Sequence, residues 1–233
     1  MTDDLPFRLP PVNPDDAPVP ASTLSPELLA SQLVDGEDEL AAWVLRHALV
    51  ESARADVYDG LVRDAMRLVG DNWRNGRWTI AEEHLASRTL LRTLERVRPE
   101  MGPEGRIGPL AILAGVAGEE HMIGLVCLEQ VLVEAGWTVA NLGADMPSAD
   151  LAAYVSRHEP ALVALSASDT DRVGVLAATV SAVRAAAADR KLPVVVGGMI
   201  TGVPGIGTTV QADATIHNLG EALAFAEAHR PSD

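Results

Sequence analysis

The sequence predicts an α + α/β protein, in which a four-helix bundle is followed by a flavodoxin-like, doubly wound (Rossmann-like) sheet of five parallel strands. Three observations carry this. Residues 25–98 show only helical periodicity, residues from 109 onward alternate short apolar runs with longer helical ones, and the segment Met101-Gly-Pro-Glu-Gly-Arg106 separates the two patterns. The domain limits follow as a Pro-rich arm over 1–24, a helical cap over 25–100 and an α/β domain over 105–233.

The arm contains Pro10-Pro-Val-Asn-Pro14 and Ala17-Pro-Val-Pro20. Too few apolar residues lie between the prolines to build a core, so flexibility is expected. Helices are predicted over Ser25–Leu33, Glu37–Ser52, Ala55–Arg74 and Thr79–Val97. The third places Leu61, Ala65, Leu68, Val69 and Trp73 mostly three or four residues apart, which predicts one buried stripe. Asn75-Gly76 ends that helix. Thr79 with Glu82 three residues later forms a capping-box signature that starts the fourth. Short connections between such helices give an antiparallel bundle.

In the second half, strands are expected at Pro109–Ala114, Thr138–Leu142, Ala161–Leu165, Pro193–Val196 and Ala214–His217. The helices between and after them are expected at Met122–Ala135, Ser148–His158, Val173–Asp189 and Glu221–His229. Right-handed crossovers turn such a series into a parallel sheet with helices on both faces.

Composition narrows the function classes. A chain of 233 residues buries a core without disulfides. The single Cys127 lies in the apolar run Leu125-Val-Cys-Leu128, reads as a buried hydrophobe and points to a reducing cytoplasm. No apolar stretch reaches transmembrane length, and Met1-Thr-Asp-Asp4 lacks the basic head of a signal peptide. The expectation is a soluble cytoplasmic protein with no membrane association. Against 18 basic residues stand 33 acidic ones, a formal charge of −15, which repels phosphate backbones and disfavours direct nucleic-acid binding.

In doubly wound sheets ligands bind beyond the carboxyl ends of the strands, at the switch in strand order. The first strand ends near Gly115, so Glu119, Glu120 and His121 fall in the loop leading to the next helix, with Gly124 just beyond. A loop histidine ligates a metal when neutral, its other ring nitrogen commonly held by a carboxylate, and Glu119 is in range to do so. The same edge receives Gly143 after strand two, Ser166-Ala-Ser168 after strand three and Gly197-Gly198 after strand four. Hydroxyls bond polar groups of a ligand, while paired glycines let a flat group lie against the backbone.

This series, Glu119-x-His121-x-x-Gly124, Ser166-x-Ser168 and Gly197-Gly198, is similar to the cobalamin-binding domain, whose pattern reads Asp-x-His-x-x-Gly, Ser-x-Leu (or Thr) and Gly-Gly. In that family the histidine replaces the cofactor's benzimidazole as lower axial cobalt ligand. The resemblance implies His121 as the cobalt ligand and Glu119 as the carboxylate behind it, with Ser166, Gly197 and Gly198 along the nucleotide tail. Glu119 stands where the family has Asp, which lengthens that contact; Ser168 stands where it has Leu, which makes the tail pocket more polar.

Trp73, then nine residues, then Glu83-His84 resembles the helical cap of CarH-type photoreceptors, which bind adenosylcobalamin and lose the adenosyl group in light. An antiparallel hairpin brings this indole, carboxylate and imidazole to one end of the bundle. An indole shields an organic ligand from water, and Glu83 and His84 offer hydrogen bonds to an adenosyl ribose or base. The resemblance spans roughly Ser25 to Ala228. It departs where CarH-type proteins begin with a helix-turn-helix DNA-binding domain, the place of the Pro-rich arm here, and where they carry a histidine directly after the tryptophan, here Arg74.

The implied function is a stand-alone adenosylcobalamin light sensor, not an enzyme, whose output is a protein partner or a change in self-association. A variant resembles the photocobilins, which also hold a bilin such as biliverdin. The alternatives are a corrinoid carrier for methyl transfer and a nucleotide-binding or scaffold module. Trp43, Trp78 and Trp137 are expected to pack, and His47, His158, His217 and His229 to be structural or exposed.

Overall fold

In the computed structural model, which describes residues 24–99 and 108–231, Ser25 opens the first helix. The expected arm, save Leu24, and the linker Met101–Arg106 with the domain limits near it lie outside the described residues. Helix α1 (Pro26–Val34) has Ser25 as its N-cap, the hydroxyl accepting from Leu28 N, and Pro26 where its missing N–H costs nothing. Helix α2 (Asp38–Glu51) follows. Helix α5 (Ile80–Arg96) starts on a complete capping box, with Thr79 accepting from Glu82 N and the Glu82 carboxylate accepting from Thr79 N.

The expected third helix is instead three joined segments. Helix α3 (Arg54–Val57) runs through a π-helical turn (Tyr58–Val62) into α4 (Arg63–Arg74). Tertiary anchoring accompanies this turn. The Arg54 guanidinium, 7% exposed, donates to Glu134 at 3.0 Å, Tyr58 Oη at 2.7 Å, Val97 O at 2.9 Å and Gln130 Oε1 at 3.2 Å. Tyr58 in turn donates to Gln130 Oε1 at 2.6 Å, and burial pushes its phenol pKa up. One residue on, Asp59 accepts from Leu219 N and Gly220 N and pairs with Arg63 at 2.6 Å.

Strands β1 (Leu110–Gly115), β2 (Thr138–Asn141), β3 (Leu162–Ser166), β4 (Val194–Gly197) and β5 (Ala214–Thr215) form one parallel sheet in the order β2-β1-β3-β4-β5, the expected flavodoxin-like order. The helices are α6 (Ile123–Glu134), α7 (Ser148–His158), α8 (Val173–Ala187), α9 (Ile206–Val210) and α10 (Leu219–Ala228). Alternation sorts the strand residues between two layers. Ile112, Ala114, Val163, Leu165, Val194 and Val196 pack with α7, α8 and α9; Ala111, Leu113, Leu162, Ala164 and Val195 pack with α6 and α10. The fifth strand stops at Thr215, two residues before the expected His217, and α9 was not expected between the last two strands.

The bundle lies against the outer side of α6 and α10. Cys127 and Val131 of α6 complete its core, joined by Leu219 and Leu223. Because α3 meets the C-terminal end of α6 through Arg54, and the first residue of α4, Arg63, donates to His217 O in the β5–α10 loop, the run from α3 to α4 heads toward the carboxyl edge of the sheet. Helix α4 continues past that point by ten residues to Trp73, about 15 Å at 1.5 Å per residue. The tip of the α4–α5 hairpin therefore stands at the end of the molecule where the strands end.

Candidate functional site

The loop from β1 to α6 is fixed from both sides. Val116 N donates to Ser166 O at 3.0 Å, Gly115 N to Gly143 O at 2.8 Å and Met146 N to Gly115 O at 2.9 Å. Gly118, at φ +80°, donates to Asp145 Oδ1 at 2.7 Å, while Asp145 N donates back to Glu119 O at 2.9 Å. The side chain of Glu119 folds back onto β1, and a Cβ at Gly115 would stand 3.2 Å from Glu119 Cγ, so that glycine makes the room.

Glu119 is 3% exposed. Its Oε1 accepts from His121 N at 2.9 Å and faces His121 Nδ1 at 2.5 Å. Burial raises the Glu119 pKa, but hydrogen bonds from the His121 backbone, the His121 ring and the Ser168 hydroxyl outweigh it, and the carboxyl stays below its ordinary range. A carboxylate so held accepts Nδ1–H, and in the neutral ring that tautomer carries its lone pair on Nε2. The His121 side chain is 71% exposed, and Nε2 has no partner among the described residues. Ser168 therefore serves the acid as well as bordering the edge.

The glycines of this edge divide into two kinds. Gly143 (φ +79°) and Gly198 (φ +90°) occupy left-handed backbone, and a Cβ at Gly198 would overlap the Ala167 carbonyl, so the fold itself needs them. A Cβ at Gly124 would meet nothing within 4 Å, and one at Gly197 only Ile216 O at 3.8 Å. The chain has no packing reason to omit side chains there, which leaves open ground beside His121 and Ser166. Ser166 pairs in register with Gly115 on one side and Gly197 on the other. Met199, 76% exposed, and Met122, lying near Gly143, add apolar surface that no sequence motif marks.

At the tip of the hairpin the side chains are looser. Trp73 is 44% exposed, so the expected buried stripe ends at Val69 and does not include it; α4 there outruns the helices that cover its earlier turns. Glu83 accepts from Ser87 Oγ at 3.0 Å, and His84 Nε2 lies 3.6 Å from Glu83 Oε2. The structure brings Glu83 and His84 together but ties neither to Trp73 by a hydrogen bond. Arg74 turns back along α4 onto Asp71 at 2.7 Å.

The remaining aromatic and histidine residues are packed or exposed. Trp43 stacks on His47, Tyr154 on His158 and Phe225 on His229; Trp78 packs on the bundle core, Trp137 donates to Glu227 at 2.8 Å, and His217 is exposed. Burial pushes the Cys127 thiol up to about 12. Cavities of about 530 and 270 Å³ lie at the opposite, amino edge of the sheet, against Arg190, Lys191 and His229. The carboxyl edge is an open surface, suited to a flat ligand that lies across it.

Residues 109–220 match the B12 binding domain, and residues 27–98 match a second B12 binding domain model. Residues 27–98 and 109–220 thus each resemble a B12 binding domain. The chain is 36% identical over 142 residues to the HTH-type transcriptional repressor CarA of Myxococcus xanthus, covering 60% of this chain and 46% of that protein. It is 31% identical over 155 residues to the HTH-type transcriptional repressor CarH of the same organism, covering 66% of this chain and 51% of that one. The chain thus spans about half the length of these relatives. The monomethylamine corrinoid protein of Methanosarcina barkeri has the same fold, with a TM-score of 0.69 at 19% identity over 85% of this chain and 95% of that one.

The residues present fit a corrinoid. Among the described residues no group of three or more His, Cys, Asp and Glu side chains forms a metal cage. A corrin brings four ring nitrogens of its own, so one outward imidazole suffices as protein ligand. Among the described residues no helix is long and apolar enough to cross a membrane.

Proposed function

We propose that this B12-binding chain is an adenosylcobalamin light sensor, with the corrin lying between the β1–α6 loop and the tip of the α4–α5 hairpin. The observation that carries the reading is the position of His121, held at Nδ1 by a buried carboxylate with Nε2 outward on the edge to which the Trp73 tip extends. His121 would hold the cobalt through Nε2, Glu119 would orient the ring from Nδ1, and Ser166, Gly143, Gly197 and Gly198 would border the tail. Gly124 leaves the corrin room. Trp73 excludes water from the upper face, and Glu83 and His84 hydrogen-bond the adenosyl group.

The bound cofactor supplies a light-sensitive cobalt–carbon bond. Trp73, Glu83 and His84 would contact the adenosyl group, so the helical half would make different contacts with and without it, which is what a shift against the α/β half requires. The output is a protein partner or self-association in the cytoplasm, and not a catalysed reaction or direct contact with nucleic acid. Similarity to the two repressors supports a regulatory role. A bilin is the second chromophore of a variant of this proposal.

The second reading is a corrinoid methyl carrier, favoured by the fold shared with the monomethylamine corrinoid protein. One experiment separates them. The chain is loaded with adenosylcobalamin in darkness, its visible spectrum recorded, and then illuminated with green light. A base-off, histidine-ligated spectrum that changes irreversibly supports the sensor. Tight methylcobalamin binding with no photoresponse beyond that of the free cofactor supports the carrier. A far-red band on adding biliverdin supports the dual-chromophore variant.

A further inference from the structure

Arg172 closes the short 3-10 turn (Thr170–Arg172) that leads into α8, on the same strand-end edge as His121, Ser166 and Gly197. Its guanidinium stands against Gly118, where an added Cβ would overlap Nη1 most closely, then Cζ and Nη2. Arg172 is half-buried, yet among the described residues its side chain makes no hydrogen bond and no ion pair. On the adjoining loop, Asp145 Oδ1 accepts from Gly118 N.

Other arginines withdrawn from water are paired: Arg54 meets four acceptors, and Arg184 meets Asp213 and Gln211 O. Arg77, Arg88 and Arg157 have no side-chain partner among the described residues but are exposed, and Arg190, half-buried and likewise without one, lies at the opposite, amino edge of the sheet. A guanidinium presents five donors in a planar fork, and partial burial without acceptors is costly. The group stands against Gly118, on the loop that carries Glu119 and His121.

We propose that Arg172 is a corrinoid-binding residue, its guanidinium donating to a peripheral oxygen of the bound cofactor. The acceptor is either a carbonyl of the corrin's amide side chains or the phosphodiester of its nucleotide loop. The inference rests on corrinoid binding alone and is independent of photochemistry.

The test titrates the full apo chain and its Arg172→Ala, Arg172→Gln and Arg172→Lys variants with aquocobalamin and with diaquocobinamide, which lacks the nucleotide loop. Arg157→Ala is the control. Arg172→Ala and Arg172→Gln are expected to weaken cobalamin binding about tenfold or more. Arg172→Lys restores little, since an ammonium does not reproduce the fork. Melting temperatures of the apo variants are expected to stay with the unaltered chain, and the saturated cobalamin spectra to remain histidine-ligated. An equal loss for both corrinoids assigns the acceptor to the corrin amides, and a loss for cobalamin alone assigns it to the phosphodiester. Unchanged affinity for both overturns the inference while leaving the cofactor assignment standing, as does a loss that tracks a fall in apo stability. Failure of the unaltered chain to take up either corrinoid removes the cofactor assignment and this inference with it.

Discussion

The two sides of the proposed site are built on opposite plans. On the sheet side, Glu119 is sealed in, His121 is held at ring and backbone, and the loops after β1 and β2 are cross-linked through Gly118, Asp145 and Gly143. On the helical side, Trp73 is 44% exposed and the His84 side chain 73% exposed, with only Glu83 and Ser87 to restrain the polar pair. A side chain already fixed loses little freedom on binding, whereas exposed ones must be ordered by the ligand. In the proposed site, affinity would therefore reside in the sheet half, and responsiveness to what occupies the other face in the tip.

The largest effect that bears on this contrast is expected from His121→Ala. Loss of the axial nitrogen abolishes the histidine-ligated spectrum and weakens corrinoid binding by more than roughly a hundredfold; an unchanged spectrum on titration sinks the assignment. Next comes Arg54→Ala, which strips Tyr58, Gln130 and the Val97 carbonyl of a shared donor and lowers stability by roughly 3 kcal/mol in urea unfolding. Glu119→Gln keeps the shape but removes the charge behind the imidazole, and corrinoid affinity falls about ten- to a hundredfold. Trp73→Ala, at the loose side, leaves stability within about 0.5 kcal/mol and the histidine-ligated spectrum intact, while the preference for adenosyl- over methylcobalamin drops several-fold. A large loss of stability there would show the tip to be as structural as the loop.

Acid sharpens the same contrast at its smallest. The folded-state pKa of Glu119 is lowered from 4.5, so its contribution to stability is fully present above that value and is lost as pH falls through the lower folded value. Apo chain carrying Glu119→Gln is expected to lose this part of its acid sensitivity in pH-dependent unfolding.

Much of the fold is legible in the sequence because local signals and tertiary demands agree. The capping box at Thr79 and Glu82, the apolar strand runs and the glycine punctuation each specify one outcome. Where tertiary contacts decide, the pattern fails. The π turn accompanies the anchoring of Tyr58 and Asp59 to Gln130 and α10, partners more than seventy residues away. Helix α9 holds Ile206 and Val210, a single turn between glycines and threonines, too short to show a period. Trp73 continues a helical stripe in sequence, but the helices that would have covered it end first. Residue types announce Glu119 and His121; nothing in the sequence announces that Ser168 turns to the acid or that Arg172 settles on Gly118.

Helix α10 has its own N-cap in Asn218, which takes Glu221 N, but Asp59 of the helical half takes the N–H groups of Leu219 and Gly220. Swinging the bundle outward hence strips these two groups of their acceptor and leaves Asn218 in place. The first turn of α10 would fray, and amide exchange at Leu219 and Gly220 would quicken before any other part of the sheet domain noticed.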